Sequence, residues 1–358
     1  MMLHFCLVAN YFFFKKITFA SLMQNLFITE LKTLLATPKK CVIVTHRQPD
    51  GDAMGSSLAW QRFLKALNHD AVFISPTEIT QNLDWLPDYK TAISFENEKL
   101  KPQAQESIQN AEVIFCLDFN ALSRLEGLGE IIAATTATKV LIDHHIQPED
   151  FAQLVFSDTS YAATCEMIHD VIEQLDELDK VDKDTANLLY AGLCTDTGFF
   201  QFNNATPNVM RVAGGLIAKG AEPAFISEMV NNIFSEKRLR FFGYCLDRKL
   251  QFAKGGKVAY MILSSKEIKR FWLQNGDSEG LVNYPFKIKG VEMSVYFSEE
   301  GEKIKISFRS RGTKLDMSTF SRTHFEGGGH FNASGGKSLL SLEETEQKFL
   351  KALDDLEF

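Results

Sequence analysis

Six cysteines (Cys6, Cys41, Cys116, Cys165, Cys194 and Cys245) are scattered through the 358 residues without paired spacing. That excludes a disulfide scaffold, and their placement in apolar runs predicts reduced core thiols in a cytoplasmic protein. Apolar runs long enough for a comfortable membrane span are also lacking. Residues 1–22 are apolar and aromatic, with Phe12-Phe13-Phe14, but too short to span easily. Lys15 and Lys16 follow that stretch, whereas a signal peptide would carry its positive charge ahead of it. The reading is an N-terminal extension over residues 1–22 ahead of a true start at Met23, with no membrane partner.

Positive charge is scarce in the first part of the chain. Residues 1–230 hold 17 Lys/Arg against 29 Asp/Glu, whereas residues 231–358 hold 21 against 17. An acidic first part suits cation binding and a basic second part suits a phosphate-bearing ligand. Hydrophobic residues at 45% and charged residues at 23% are those of a globular protein, and the length allows two domains.

Several apolar runs end abruptly in acids. Cys41-Val42-Ile43-Val44 runs into Thr45-His46 and then Asp50-Gly51-Asp52, where a tight turn can aim both carboxylates at one point. Val113-Ile114-Phe115-Cys116-Leu117 stops at Asp118, with Arg124 six residues on, and Val140-Leu141-Ile142 stops at Asp143-His144-His145. Asp196 lies in the small-residue stretch Ala191–Gly198, read as a turn. Runs of this kind are buried parallel strands that deliver side chains at their carboxyl ends, where open α/β sheets keep their sites. The bland alternative for Asp50-Gly51-Asp52 is a turn that merely caps the helix after it.

From about Leu250 the apolar period changes to two, as in Lys303-Ile304-Lys305-Ile306-Ser307-Phe308-Arg309, the pattern of a half-exposed sheet. The fold class is therefore α/β. A domain over residues 23–225 is built on a mostly parallel sheet, and a helical connector over 226–250 joins it to a smaller α+β domain over 251–358. The second domain closes with Gly327-Gly328-Gly329-His330, where consecutive glycines let backbone N–H groups approach an anion. A flexible loop is the bland alternative there.

Taken together, THRQPDGDAMGSS (45–57), Asp118, IDHH (142–145) and GLCTDTG (192–198) resemble the motifs of the DHH phosphoesterase family. SFRSRG (307–312) and GGGHFNASGG (327–336) resemble its DHH-associated domain. The pairing is most similar to the nano-RNase subfamily, bifunctional oligoribonucleases that also dephosphorylate 3'-phosphoadenosine 5'-phosphate. The resemblance implies two Mn²⁺, with Mg²⁺ or Co²⁺ as substitutes. His46, Asp50 and Asp118 would hold one cation, and Asp52, Asp118, His144 and Asp196 the other. It further implies attack by a hydroxide bridging cations ~3.5–4 Å apart. His145 would contact the scissile phosphoryl oxygens, and Asp143 would orient a ligating imidazole. Arg309, Arg311, Gly328, Gly329 and His330 would bind the substrate's other phosphate or terminal nucleotide.

The partners so implied are short single-stranded RNA and nucleotides, without long-duplex binding, and a homodimer is compatible with the sequence. Cyclic-dinucleotide phosphodiesterases of the same superfamily stay open as an alternative, although they usually carry membrane spans and sensory domains. Manganese pyrophosphatases share the metal constellation but lack the GGGH second domain. A non-catalytic nucleotide-binding module would have lost metal ligands, and none is missing.

Overall fold

The computed structural model describes residues 19–231, 235–273 and 276–358. Cys6 and most of the expected N-terminal extension lie outside the described residues. Helix α1 (Phe19–Leu34) leads into β1 (Lys40–Val44), α2 (Gly51–Ala66), β2 (Asp70–Ser75) and the two-residue β3 (Ile93–Ser94). Then come α3 (Lys101–Gln109), β4 (Val113–Leu117), α4 (Gly127–Ala134), β5 (Thr138–Asp143) and β6 (Leu154–Ser157). All six strands pair in parallel, in the order β3-β2-β1-β4-β5-β6.

The apolar runs explain the sheet, because strands covered on both faces need apolar side chains at every position. Ile43, Phe73 and Phe115 face one layer, with α2 and two helices, α5 (Thr164–Gln174) and α6 (Lys183–Asp196). The alternate residues Val42, Val44, Ile114 and Cys116 face the other layer, with Ile108 of α3 and Leu128 and Ile132 of α4. The chain works outward from β1 to β3, then returns to start β4 on the other side of β1. Loops from β1 and β4 therefore diverge at their carboxyl ends, and the gap between them is where α/β sheets bind ligands.

Three helices, α7 (Pro207–Ala218), α8 (Pro223–Asn231) and α9 (Glu236–Tyr244), and a π-helical stretch Cys245–Lys249 lead to a second sheet. Its elements are β7 (Leu250–Ala253), β8 (Val258–Leu263), α10 (Ser265–Arg270), β9 (Met293–Glu300) and β10 (Lys303–Ser310), followed by α11 (Met317–Phe325), β11 (Gly328–His330), β12 (Ala333–Ser338) and α12 (Leu342–Ala352). The order is β11-β12-β10-β9-β8-β7, with β8–β9 parallel and the other pairs antiparallel. On β10, Ile304, Ile306 and Phe308 point into a core with Phe320, Phe325 and Phe349, while Lys303 and Lys305 are exposed. Among the described residues no helix is long and apolar enough to cross a membrane.

Candidate metal centre

The carboxyl ends of β1, β4 and β5 and the facing ends of α2 and α6 converge on one acidic cluster. Asp50 is the N-cap of α2, and its Oδ1 accepts the N–H groups of Asp52 and Ala53, each at 3.0 Å. The capping alternative is thus realised, and it coexists with a place in the cluster. Asp52, fully buried on the first turn of α2, accepts the Thr164 and Cys165 N–H groups at 2.6 and 2.9 Å. It thereby terminates α5, whose own N-cap, Ala163, has no side-chain acceptor. Asp118 follows β4 in a left-handed conformation, φ 65°, and accepts the Thr164 hydroxyl at 2.9 Å. A left-handed, non-glycine residue at such a place is strain that the surroundings must hold.

Asp196 corrects the sequence reading. It is the last residue of α6 rather than part of a turn. A carboxylate at a helix C-terminus meets the negative end of the macrodipole, so the fold gives it no local compensation.

The histidines show what that charge faces. The His46 Nδ1–H donates to the Arg47 carbonyl at 2.8 Å, which leaves the Nε2 lone pair 3.5 Å from Asp118 Oδ2. The His144 Nδ1–H donates to the Tyr161 carbonyl at 3.3 Å. Its Nε2 lies 3.4 Å from Asp118 Oδ1, 3.5 Å from Asp196 Oδ2 and 3.9 Å from Asp52 Oδ2, yet this buried atom has no hydrogen-bond partner. Lone pairs of buried acceptors directed at one another need a proton or a cation between them.

Donor atoms of His46, Asp50 and Asp118 lie within 4.8 Å of one another, and so do those of Asp52, His144 and Asp196. The donors are carboxylate and imidazole without thiolate, a set that suits Mn²⁺ or Mg²⁺ more than structural zinc. The residues present fit divalent cations.

The protonation balance of the cation-free cluster follows from the same crowding. Burial, then the neighbouring Asp118 charge, pushes Asp52 up to about 7. Burial and the Asp52 charge likewise raise Asp196 well above the usual carboxylate range. Burial works against the His144 imidazolium, but the carboxylates of Asp118, Asp196 and Asp52 outweigh it and hold the ring at about 10. Burial also opposes the charge on Asp118, but His144 and His46 keep that carboxyl well below its ordinary value. The cluster thus holds protons where cations would stand.

Asp143 is arranged differently from the expectation. Its Oδ1 meets His145 Nδ1 at 2.7 Å, so it orients His145 rather than the cluster imidazole His144. The partner of His144 is a backbone carbonyl, that of Tyr161, which carries no side-chain signature in the sequence. Thr164 and its hydroxyl bond to Asp118 were missed too, although a Thr opening an apolar helix was visible.

The second domain closes over this site. The His330 ring lies 4.9 Å from that of His144 and 4.5 Å from that of His145. Burial, then the charges of His145 and His144, pushes His330 down to about 3, so it packs as a neutral ring. Arg309 is half-buried, in the field of Glu279, Asp196 and Asp50, with a guanidinium N–H donated to the Phe308 carbonyl at 2.9 Å. Glu279 had no sequence signal. It accepts the Asn82 side-chain amide at 2.8 Å and bridges the domains. Arg311 is not gathered with these groups: it lies beyond β10 with its guanidinium 4.6 Å from the centre of the Phe286 ring.

The glycine run is a β-hairpin strand rather than a loop. Gly328, Gly329 and His330 pair with Gly335, Ser334 and Ala333. A Cβ on Gly327 would meet the Gly335 carbonyl at 2.0 Å, and one on Gly329 the Ala333 carbonyl at 2.6 Å. Gly328 alone of the three has open space around it.

A two-domain α/β chain with this cluster at its switch point belongs to the DHH family. The DHH family N-terminal domain matches residues 40–193, and the DHHA1 domain matches residues 255–357. Among its relatives is the bifunctional oligoribonuclease and PAP phosphatase NrnA of Thermus thermophilus, 30% identical over 90% of this chain and 91% of that protein. The protein of the same name from Bacillus subtilis is 27% identical over 92% of this chain and 97% of its own length. The crystal structure of an exopolyphosphatase-related protein from Bacteroides fragilis superposes with a TM-score of 0.87 at 36% identity, covering 92% of this chain and 96% of that one. RecJ from Thermus thermophilus in complex with Mn²⁺ shares the fold, with a TM-score of 0.55 at 11% identity over 92% of this chain and 55% of its own.

Proposed function

We propose that the chain is a cytoplasmic metal-dependent phosphoesterase that hydrolyses short oligoribonucleotides to mononucleotides. The same site removes the 3'-phosphate of 3'-phosphoadenosine 5'-phosphate to give AMP. The observation that carries this reading is the set of carboxylate acceptors, from buried Asp52 and Asp118 and half-buried Asp196, facing His46 Nε2 and His144 Nε2 across 3.4–3.9 Å at the switch point of the sheet. The names of the relatives from Thermus thermophilus and Bacillus subtilis support the substrate class.

In this reading His46, Asp50 and Asp118 hold one Mn²⁺, and Asp52, Asp118, His144 and Asp196 hold the second. When bound, the pair supplies positive charge against a phosphoryl group and an acidified water as nucleophile. The Tyr161 and Arg47 carbonyls fix the tautomers that leave both Nε2 atoms free to ligate. Asp143 holds His145 so that its Nε2 meets the scissile phosphoryl oxygens. Arg309, half-buried beside the cluster, takes the substrate's other phosphate, with Gly328, Gly329 and His330 lining the path to it, while Arg311, packed on Phe286, stands apart. His330, closing over His144 and His145, keeps water out once substrate is seated.

The test is a comparison of initial rates, with Mn²⁺, on a 5'-phosphorylated diribonucleotide, 3'-phosphoadenosine 5'-phosphate, cyclic di-AMP and pyrophosphate. Fast release of mononucleotides from the dinucleotide, abolished by Asp118→Ala, is the expected result. Fast pyrophosphate hydrolysis with an idle dinucleotide would overturn the substrate assignment and leave the cluster's role standing. Gly328→Ala, which has room for its methyl group, should fold normally and weaken nucleotide binding if this backbone approaches the substrate.

A further inference from the structure

The hairpin that carries His330 turns through two residues, Phe331 and Asn332, since His330 pairs directly with Ala333. Its backbone is fixed from several sides. The Met317 N–H donates to the Phe331 carbonyl at 2.7 Å, and the Ser310 N–H donates to the Asn332 carbonyl at 3.0 Å. The Ser310 hydroxyl also donates to the Asn332 side-chain oxygen at 2.9 Å. Ser310 is the residue after Arg309, so the tip is tied to the strand that delivers that guanidinium. Gly327 and Gly329 have no room for a Cβ, which seats the hairpin tightly on its neighbours.

A rigid two-residue turn favours Asn, Asp or Gly. This one carries a phenylalanine that is 41% exposed. Single exposed apolar side chains are ordinary; the position of this one is not. Its chain neighbour, His330, lies against the rings of His144 and His145 at the cluster. The tip therefore fixes the backbone that carries a solvent-exposed aromatic ring, one residue along the chain from a histidine packed at the cluster.

We propose that Phe331 is a stacking surface for the nucleobase attached to the phosphate held at the cluster. This rests on the phosphoesterase reading and deepens it: the preferred substrate carries a base next to the scissile bond. Every base presents a π-face, so the contact discriminates nucleotides from base-free phosphoesters rather than one base from another.

The experiment compares the full chain with Phe331→Ala and Phe331→Trp, using a diribonucleotide and its abasic analogue. Removing the ring should raise KM for the dinucleotide about 5- to 100-fold, the usual effect of losing one base–aromatic stack. The ratio of kcat/KM between dinucleotide and abasic analogue should fall by the same factor, and the tryptophan variant should restore it. A ring this exposed contributes little to the fold, so the melting temperature should not move. An unchanged KM in Phe331→Ala, or an equal loss on the abasic analogue, would overturn the proposal. Equilibrium dialysis of the dinucleotide against wild type and Phe331→Ala separates the two readings. If the wild type hydrolyses no nucleotide, the phosphoesterase reading falls, while equal dissociation constants would dispose of Phe331.

Discussion

Replacing Gly55 by alanine tests whether backbone packing sets the geometry of the acidic cluster. Gly55 lies on α2, one turn after Asp52, where α2 crosses α6. A Cβ there would stand 2.5 Å from the Leu188 carbonyl oxygen and 3.1 Å from Cys165 Sγ. Alanine is favoured over glycine within a helix by about 1 kcal/mol. Forcing a methyl group into a packed interface costs about 1–3 kcal/mol, and here the obstacle is backbone that cannot rotate away. Gly214, on α7, provides the control, because its Cβ would meet nothing within 4 Å. Gly214→Ala should therefore raise the melting temperature, whereas Gly55→Ala should be neutral or lower it. The two should differ by ~2–4 °C for each kcal/mol of overpacking in a unit of this size. Displacing α2 also moves Asp52, so Gly55→Ala should weaken divalent-cation binding by calorimetry and lower turnover by about 10–100-fold. Equal stabilisation by both substitutions, with cation affinity intact, would refute the argument.

Three further expectations follow from charges. Cation binding should release protons, because Asp52 stands at about 7 and His144 at about 10 without metal. Calorimetry in buffers of different ionisation enthalpy should show roughly one proton more released at pH 6 than at pH 8.5, with affinity rising over that interval; no buffer dependence would count against a protonated cluster. Asp143→Asn should reduce kcat about 10–100-fold through a misoriented His145, with cation affinity unchanged, and parallel losses in both would assign Asp143 to the metal site instead. Burial opposes the charge on Glu267, but Lys249 and the Ser264 groups outweigh it and hold the carboxyl at about 2. Its folded value is below its unfolded one, so its stabilisation is present above pH ~4.5 and lost as pH falls through about 2. Glu267→Gln should therefore lower the melting temperature at pH 7 and leave it unchanged near pH 2; an equal loss at both would assign the effect to packing.

The sequence made the sheet and the cluster legible for one reason: strands covered on both faces must be apolar, so the first titratable residue after each run marks its carboxyl end. Asp118, Asp143, His144 and His46 were readable in that way. Asp196 was legible as a member of the candidate cluster but not as a helix end, since Ala191–Gly198 is rich in small residues that serve turn and helix alike. Backbone donors and acceptors, such as the Tyr161 carbonyl, leave no trace in side-chain identity. The resemblance placed Asp143 on a ligating imidazole, whereas its partner is His145. The glycine run was read as backbone open to an anion, with a flexible loop as the bland alternative; it is a hairpin strand in which Gly327 and Gly329, but not Gly328, are required by the close approach of the facing strand. Glu279 was hidden because its role comes from a docking between domains, to which no local pattern corresponds.

The contact of His330 with His144 and His145 has a consequence for the charge state of the cluster. These imidazoles are 5% and 8% exposed with the second domain in place. Drawing that domain back would replace a neutral ring with water. Inter-domain movement thus amounts to a change of solvent for the acidic groups, from a medium in which neighbouring carboxylates strongly disfavour one another's ionisation to one in which they scarcely interact. An opened molecule should titrate closer to free aspartate and histidine, and would hold cations less firmly for the same set of ligands.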